Sequence, residues 1–327
     1  MQPIKTTFTF LFPFFILFVV QTGSAQEIDF LPKGVFSSSY ELTTFSYNSI
    51  LDGSQQKDLL KELLDRNSIG EEDIKGDLAY TSMVHSFKLQ YGLFGSLNLA
   101  AVVPFVINKR ESNLDVTDTG NATHMQFASD YETAESQGLG DISLIATWRP
   151  IYNDSTDFRV RLELNGNNGE YYLSDSDNIS LGNGANDLGI FMRWIVYSSD
   201  SEFRTDVEVA ALATETFEIT EDGTNYEIKK GNTVLLSIDL SDNFGSLNYG
   251  GGVKALTSGK TIINKVDQGD NYLAYSYRLF LNFGNLNQLE DSTVNLPWYA
   301  GFYFEDIFAG TNAPDSGTFG FKGTLYF

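Results

Sequence analysis

The chain has 327 residues and a formal net charge of −22 at pH 7, from 43 acidic residues against 21 lysines and arginines. This charge argues against nucleic-acid binding, because proteins that bind phosphate backbones need basic surfaces. The sequence contains no cysteine, which excludes disulfides and thiolate metal ligands, and it predicts neither a cofactor nor a metal site. Its 17 Tyr and 26 Phe suit β-strands and the aromatic girdles of membrane barrels.

Residues 1–25 have the layout of a cleaved signal peptide. Lys5 supplies the positive charge, residues 8–20 form an almost unbroken apolar run, and Gly23–Ala25 provide small residues for cleavage. The alternative, a membrane anchor, needs a longer apolar run. After residue 26 no stretch approaches the ~20 apolar residues of a membrane helix, so a mature chain (26–327) that enters a membrane would do so as a β-barrel.

Alternating patterns predict twelve strands, and most of them have the ~9–11 residues that a tilted strand needs to cross a bilayer. An even number of strands leaves both chain termini on the periplasmic side of an outer-membrane barrel. The predicted strands are Val35–Tyr47, Tyr80–Tyr91, Ser96–Asn108, Gly140–Trp148, Phe158–Asn165, Asp187–Tyr197, Phe203–Thr214, Thr233–Ser241, Leu247–Thr257, Tyr272–Phe283, Trp298–Asp306 and Thr318–Phe327.

The connections between these strands alternate between short turns and long acidic segments. Outer-membrane barrels have short periplasmic turns and long external loops, so the alternation favours a closed antiparallel transmembrane β-barrel. A secreted β-sandwich shows the same strand pattern but does not require alternating connection lengths. The connection Gly284–Pro297 is long for a periplasmic turn. The long external segments are Asn48–Ala79, Lys109–Gly138, Gly166–Asn186, Glu215–Asn232 and Ser258–Asn271.

One segment of the first external loop, Gln55–Asp65, has helical rather than strand spacing. Its leucines recur at positions 59, 60, 63 and 64, with charged residues between them. This pattern predicts a short amphipathic helix. Such a helix could pack on neighbouring loops, which we favour, or fold into the barrel mouth as a plug.

The charged residues of the strands fall on the less apolar face, which is the lumen in a barrel. Basic residues concentrate towards the periplasmic half and predict a basic belt, with acidic Glu163, Asp206 and Glu208 just above it. Two interpretations stay open: a structural network of Arg–carboxylate pairs that fills the lumen, or a constriction that selects anionic or polar solutes. The predicted basic belt comprises Lys88, Arg149, Arg159, Arg161, Arg193, Arg204 and Arg278.

A catalytic role is not predicted. Some twelve-stranded barrels are lipases with a Ser–His pair, and His85 is followed by Ser86. Adjacent strand residues point to opposite faces, so these two cannot form one dyad. His124 falls in a long predicted loop without a visible partner.

The segment Gly138–Ile142, with the sequence GLGDI, opens a strand that ends in Trp148, Arg149 and Pro150. This element resembles one that recurs in bacterial outer-membrane proteins of the phenol-degradation meta-pathway family of transporters. The resemblance implies a barrel that passes small, often hydrophobic or aromatic molecules. No residue role is transferred from it.

The last strand carries Phe319, Phe321, Leu325 and Phe327 on one face, which is predicted to meet lipid. We expect Phe327, with Trp148 and Trp298, to anchor the barrel at the membrane interface, and we expect the strand to close the barrel against the first one. Leu325 and Phe327, at alternate positions, resemble the C-terminal signal for the outer-membrane insertion machinery. The sequence departs from that signal in one respect, since Gly323 lies one position away from the signal's usual glycine.

These observations predict an outer-membrane barrel that acts as a channel for a small solute, and the family resemblance implies that this solute is hydrophobic or aromatic. The expected partners are outer-membrane lipid, the barrel-insertion machinery and the solute. The alternative is a non-conducting barrel whose acidic loops bind a surface partner or shield the cell.

Overall fold

The structure, a computed structural model, describes residues 30–172, 179–198, 203–221, 223–244, 247–285 and 297–327. The predicted signal peptide and most of the Gly284–Pro297 connection lie outside these residues. In chain order the elements are β1 (Phe36–Tyr47), β2 (Ser49–Gly53), β3 (Gln55–Asp58), α1 (Leu59–Arg66), β4 (Ile74–Phe94), β5 (Leu97–Val116), α2 (Ala122–Asp130), β6 (Ala134–Leu139), β7 (Ser143–Tyr152), β8 (Thr156–Asn165), β9 (Asp187–Tyr197), β10 (Arg204–Thr214), β11 (Phe217–Glu221), β12 (Thr224–Lys229), β13 (Thr233–Phe244), β14 (Leu247–Ser258), β15 (Ile262–Ile263), β16 (Val266–Asp267), β17 (Tyr272–Gly284), β18 (Trp298–Pro314) and β19 (Gly317–Tyr326).

Twelve of the described strands close into an antiparallel barrel, in the order β1, β4, β5, β7, β8, β9, β10, β13, β14, β17, β18, β19 and back to β1. The closure lies between the first and last strands, where Ser37 pairs with Tyr326. Phe36 and Phe327 extend this pairing by exchanging backbone hydrogen bonds of 3.1 and 2.8 Å. The predicted twelve-stranded barrel and its closing pair are confirmed. The start of β1 and the end of β19 lie at the rim where the connections between strands are short. This rim is therefore the periplasmic end of the barrel.

The outer surface of the barrel is a continuous apolar band. On β9 the side chains of Leu188, Ile190, Met192, Trp194 and Val196 are each 44–55% exposed, as predicted for a lipid-facing set. Exposed apolar residues recur on the same face of the neighbouring strands, far beyond the apolar patch that a soluble monomer tolerates. None of the described helices is long and apolar enough to cross a membrane.

The strands β4 and β5 are longer than predicted, with 21 and 20 residues, and rise beyond the rest of the wall. The predicted polar loop Lys109–Gly138 therefore contains the upper part of β5, the helix α2 and the strand β6. A separate four-stranded sheet of β11, β12, β15 and β16 occupies two other external segments.

The predicted helix begins later than expected, at Leu59, because Gln55–Asp58 pairs with β2 as the strand β3. Asp58 caps the helix by accepting a 3.0 Å hydrogen bond from the backbone N–H of Lys61. The helix buries Leu59, Leu60 and Leu64 in one cluster with residues of β2, β4 and α2. It packs on its neighbours, which is the favoured alternative of the two.

The GLGD sequence marks a break in the wall rather than the start of a strand. Gly138 and Leu139 belong to β6, and the fourth wall strand, β7, begins at Ser143. A Cβ on Gly140 would lie 2.9 Å from Val106 and 3.1 Å from Pro104, so the close approach requires glycine. The Asp141 carboxylate accepts backbone N–H groups of Gly169 and Asn183, at 2.8 and 2.6 Å, and so holds the loop that follows β8.

Candidate functional site

Residues 30–35 pack into the periplasmic end of the lumen. Leu31 is fully buried against Tyr299 and Tyr326, which point inward from β18 and β19. The backbone of Gly92 exchanges hydrogen bonds with Gly34 (2.8 Å) and Val35 (3.0 Å). A Cβ on Gly92 would overlap the carbonyl oxygen of Pro32, so this glycine makes room for the segment. We call residues 30–35 the N-terminal plug.

Above the plug, Asp157 binds two of the predicted belt arginines. Its carboxylate accepts hydrogen bonds from Arg149 Nη2 at 2.7 Å and from Arg159 Nη2 at 2.6 Å, and the aspartate is fully buried. The Arg149 guanidinium also lies 5.0 Å from the centre of the Phe30 ring, which belongs to the plug. These two positive charges are therefore neutralised in part by one carboxylate.

A second carboxylate, Asp206, binds Arg193 and Arg204 in the same way. Arg193 Nε donates to both carboxylate oxygens at 2.9 Å, and Arg204 Nη2 donates to Oδ2 at 2.7 Å. The three residues lie on adjacent strands with their side chains inward. The Arg–carboxylate pairs of the first alternative are therefore present along the wall.

The lumen is nevertheless not filled, because a cavity of about 490 Å³ lies inside the barrel. Among the described residues, acidic Glu41, Asp206, Glu208, Asp239 and Glu305 line it. Glu163 and Arg149, which were also predicted for the lumen, do not: Glu163 Oε2 lies 3.7 Å from Arg161 Nε, and Arg149 lies against Asp157. The basic lining residues are Lys88, Arg159, Arg161, Arg193, Arg204, Lys254, Arg278 and Lys322.

The wall formed by β13, β14, β17 and β18 carries ion pairs that the sequence did not predict. Arg278 Nη2 lies 2.6 Å from Asp239 Oδ2, and the pair spans the intervening Gly252. A Cβ on Gly252 would overlap the Asp239 carboxylate. Lys254 is paired with Glu305 beside them. The alternation of side chains along β14 is enough to place Lys254 inward. Its partner Glu305 lies two strands away, so the pair can be recognised only once the register of β14, β17 and β18 is known.

Two aromatic rings that face the lumen lie flat on glycines of the next strand. A Cβ on Gly250 would come 2.5 Å from the Phe280 ring, and one on Gly320 would overlap the Tyr303 ring. The Tyr303 hydroxyl is fixed by Thr43 at 2.9 Å and Glu41 at 3.2 Å. These contacts hold both rings against the wall and leave the bore free.

An inward-facing row of apolar residues crosses five adjacent strands just above the charged region. Phe191 pairs with Ala210, Ala210 with Leu235, Leu235 with Leu256 and Leu256 with Ala274. We call these five residues the apolar stripe. Its first member is covered by Arg161, whose guanidinium carbon lies 3.7 Å from the centre of the Phe191 ring.

A second cavity of about 360 Å³ opens at the extracellular rim above the stripe. Its lining includes Asp187, Asp270 and Lys230, and the Lys230 ammonium lies 4.3 Å from the centre of the Tyr171 ring. Burial lowers the pKa of Lys230 from its ordinary value, with the nearby aspartates opposing this effect. The described lumen thus has a polar entrance, an apolar stripe and a charged cavity in succession.

The two histidines lie outside the lumen cavity. His85 Nδ1 is 2.8 Å from the Tyr40 hydroxyl on the outer face, and Ser86 points to the opposite face. The prediction of a partnerless loop residue at position 124 was wrong, because His124 lies in α2 with its Nε2 3.1 Å from the Asn121 side chain and 3.8 Å from Asp73.

The three predicted interfacial anchors lie at the periplasmic end of the wall. Trp148 and Phe327 are 53% and 62% exposed on the outer face, and Trp298 begins β18. Exposed aromatic residues cluster with them at this rim, among them Phe36 and Phe244. This arrangement is that of the aromatic girdle of membrane barrels, and the anchoring role stays a prediction.

No protein-family model and no curated protein matches the chain. Among solved structures, the COG4313 outer membrane channel from Pseudomonas putida F1 matches with a TM-score of 0.68 at 13% identity, over 94% of this chain and 100% of that chain. The AIDA-I autotransporter transport unit from Escherichia coli matches with a TM-score of 0.46 at 10% identity, over 92% and 91% of the two chains. The TodX monoaromatic hydrocarbon channel, as its deltaS2 mutant, matches with a TM-score of 0.46 at 9% identity, over 93% and 92%. The chain has the fold of the COG4313 outer membrane channel.

Proposed function

We propose that the chain forms a channel in the bacterial outer membrane that admits a small solute through its lumen. The observation that carries this proposal is the cavity of about 490 Å³ inside a barrel whose outer face is apolar. Eight-stranded barrels fill with side chains and sixteen-stranded barrels leave an aqueous channel, so twelve strands allow either outcome. The glycines under Phe280 and Tyr303 favour an open bore.

The charge of the lining favours anionic solutes. Among the described residues, eight basic and five acidic side chains line the cavity, in a chain whose total charge is −22. Rings of arginine and lysine select anions in pores, because fixed positive charge raises the local anion concentration. The resemblance around Gly138–Ile142 adds hydrophobic or aromatic molecules as candidate solutes.

Planar-bilayer recordings under a salt gradient test this proposal. A variant with Arg159, Arg161 and Arg193 each replaced by Gln should shift the reversal potential towards cation selectivity. A matched variant in which the exposed Lys57, Lys61 and Lys265 become Gln removes the same charge from the external segments and should shift the reversal potential much less. Equal reversal potentials in the lumen variant and the unmodified protein would contradict the proposal.

A non-conducting barrel whose acidic loops contact a surface partner is the second candidate. The buried contacts of the N-terminal plug favour it, because Leu31 is packed against Tyr299 and Tyr326 at the periplasmic end and would obstruct passage there. Liposome swelling separates the two functions: a folded barrel with a destabilised plug that admits no solute would support the second.

We further propose that the barrel transports rather than catalyses, that lipid covers its outer face, and that the insertion machinery recognises β19. The support for the first point is that His85 faces outward while Ser86 faces the lumen. The support for the last is the exposed Leu325 and Phe327 at alternate positions of the closing strand.

A further inference from the structure

Arg161 differs from the other arginines of the lumen in how it is bound. Arg159, Arg193, Arg204 and Arg278 each donate a hydrogen bond to a carboxylate at 2.5–2.7 Å. Arg161 makes no such bond among the described residues: Glu163 is 3.7 Å away, beyond hydrogen-bond distance. Its Nε is buried without a hydrogen-bond partner in the described part of the chain. The Nε of Arg161 is therefore a buried donor that lacks an acceptor in the described part of the chain.

The position of Arg161 is fixed by the aromatic ring beneath it. Its guanidinium lies 3.7 Å from the centre of the Phe191 ring, and the two residues are directly paired across β8 and β9. The Phe191 ring is in turn seated over Gly189, where a Cβ would come within 2.7 Å of it. An arginine stacked in this way keeps its fork of N–H groups oriented, so it loses less entropy when it binds a planar acceptor.

Apolar surface adjoins this guanidinium on the cavity side. Phe191 and Leu235, both in the apolar stripe, line the same cavity as Arg161. Ile145 also lines it, from the strand next to β8. A cationic fork beside apolar surface complements a molecule with one carboxylate and one apolar body. The carboxylate would accept two N–H groups, and the body would cover the stripe.

We propose that Arg161, Phe191 and Leu235 form a binding site in the lumen for a small organic carboxylate with an apolar body. The site names a solute class for the proposed channel and therefore rests on that function. An inorganic anion lacks the apolar part, and a neutral hydrocarbon offers the Arg161 guanidinium no acceptor for its N–H groups. Both should therefore bind less well than the combined molecule.

Equilibrium dialysis of radiolabelled benzoate against the full-length barrel in detergent, with protein-free micelles as the blank, tests the site without requiring conduction. Benzoate should bind saturably, and acetate and benzyl alcohol should each compete about tenfold less well, since each lacks one of the two contacts. Arg161→Gln should lower the benzoate affinity about tenfold, the effect of losing a charge-assisted hydrogen bond. Leu235→Asn should lower it without strengthening acetate binding.

Arg278→Gln is the matched control, because it removes one lumen guanidinium that is paired with Asp239. It should lower the benzoate affinity clearly less than Arg161→Gln does, because it removes charge from the same cavity but leaves the guanidinium that would contact the carboxylate in place. Equal losses in the Arg161 and Arg278 variants, equal binding of acetate and benzoate, or no saturable benzoate binding would each overturn the inference. If the barrel conducts ions but fails these binding tests, the channel function stands and the carboxylate site is wrong. If benzoate binding depends on Arg161 but the barrel does not conduct, the site stands and the channel function is wrong.

Discussion

The ring of Tyr303 lies across Gly320 on the neighbouring strand, so closely that a Cβ on Gly320 would overlap it. The same two strands complete the barrel next to its closing seam, and the Tyr303 hydroxyl reaches Thr43 on β1 across β19. The ring is thus part of the wall rather than an obstacle in the bore. The absence of a side chain at Gly320 is what gives the Tyr303 ring this place.

Replacing Gly320 by Ala should push the Tyr303 ring into the lumen. We expect a lower single-channel conductance and a loss of roughly 1–3 kcal/mol in the free energy of unfolding, the usual cost of overpacking. Gly323→Ala on the same strand is the control, because its Cβ would meet the Phe321 ring only at 3.7 Å. Identical conductance and urea unfolding of the two variants would show that the ring has room to move.

The N-terminal plug should limit conductance from the periplasmic end. Changing both Phe30 and Leu31 to Ser removes the apolar contacts of Leu31 with Tyr299 and Tyr326 and the ring that lies against Arg149, so the plug should leave its site more often. Planar-bilayer recordings should then show a higher open probability. Lys33→Ser alters an exposed residue of the same segment and should leave the open probability unchanged. A double variant that conducts like the unmodified protein would assign the closure to another part of the lumen.

Asp157→Asn should destabilise the barrel, because it leaves the buried Arg159 and the half-buried Arg149 without their common carboxylate. Breaking a buried ion pair by removing one partner typically costs about 3–5 kcal/mol. The temperature at which the folded band is lost on a denaturing gel should fall clearly. Asp154→Asn, in the exposed turn just before, should leave it unchanged. Equal melting of all three proteins would mean that the two arginines find other acceptors.

Deleting Phe327 should impair assembly of the barrel. The deletion removes both the backbone hydrogen bonds with Phe36 and a ring that is exposed at the periplasmic rim. Surface levels and the heat-modifiable gel band should fall together. Phe327→Leu keeps the backbone pair and an apolar side chain, so it should assemble nearly normally. Full surface levels of the truncated chain would contradict a role for this residue in closure.

Asp141→Ala should release the loop that follows β8, because the carboxylate holds the backbone of Gly169 and Asn183. Proteinase K added to intact cells should cut this loop faster in the variant, while the barrel stays folded. Asp118→Ala changes an exposed aspartate of another external segment and should not alter this cleavage. An unchanged cleavage rate in the Asp141 variant would show that the loop is held by other contacts.

The sequence predicted the wall of the barrel because strand alternation is a local signal. All twelve wall strands were identified, and the inward side of Arg159 and Arg193 followed from their parity. The upper parts of β4 and β5 were missed, since residues such as Asp77 and Glu111 are typical of loops and are stabilised here by pairing with each other's strand. Likewise Gln55–Asp58 is a strand because β2 pairs with it, whereas its own pattern is polar.

The site was predicted less well, because the residues that bind each other there lie on different strands. They are brought together only by the register in which those strands pair. Asp157 stood at the edge of a predicted turn, and nothing local connects it with both arginines. The apolar stripe was missed because apolar residues were assigned to lipid, although Phe191 and Leu235 share the parity of inward charged residues. The N-terminal plug has no periodicity; the available signal was an apolar pair, Phe30 and Leu31, a few residues after the predicted signal peptide.

The measurement that tests the central claim most directly is the current through the purified full-length barrel in a planar bilayer under a potassium chloride gradient. The structure of the lumen predicts stepwise conductance and a reversal potential that indicates selectivity for anions. Changing Phe30 and Leu31 to Ser should make the conductance steps more frequent. A folded, heat-modifiable barrel that carries no current in either form, or one that is selective for cations, would contradict it.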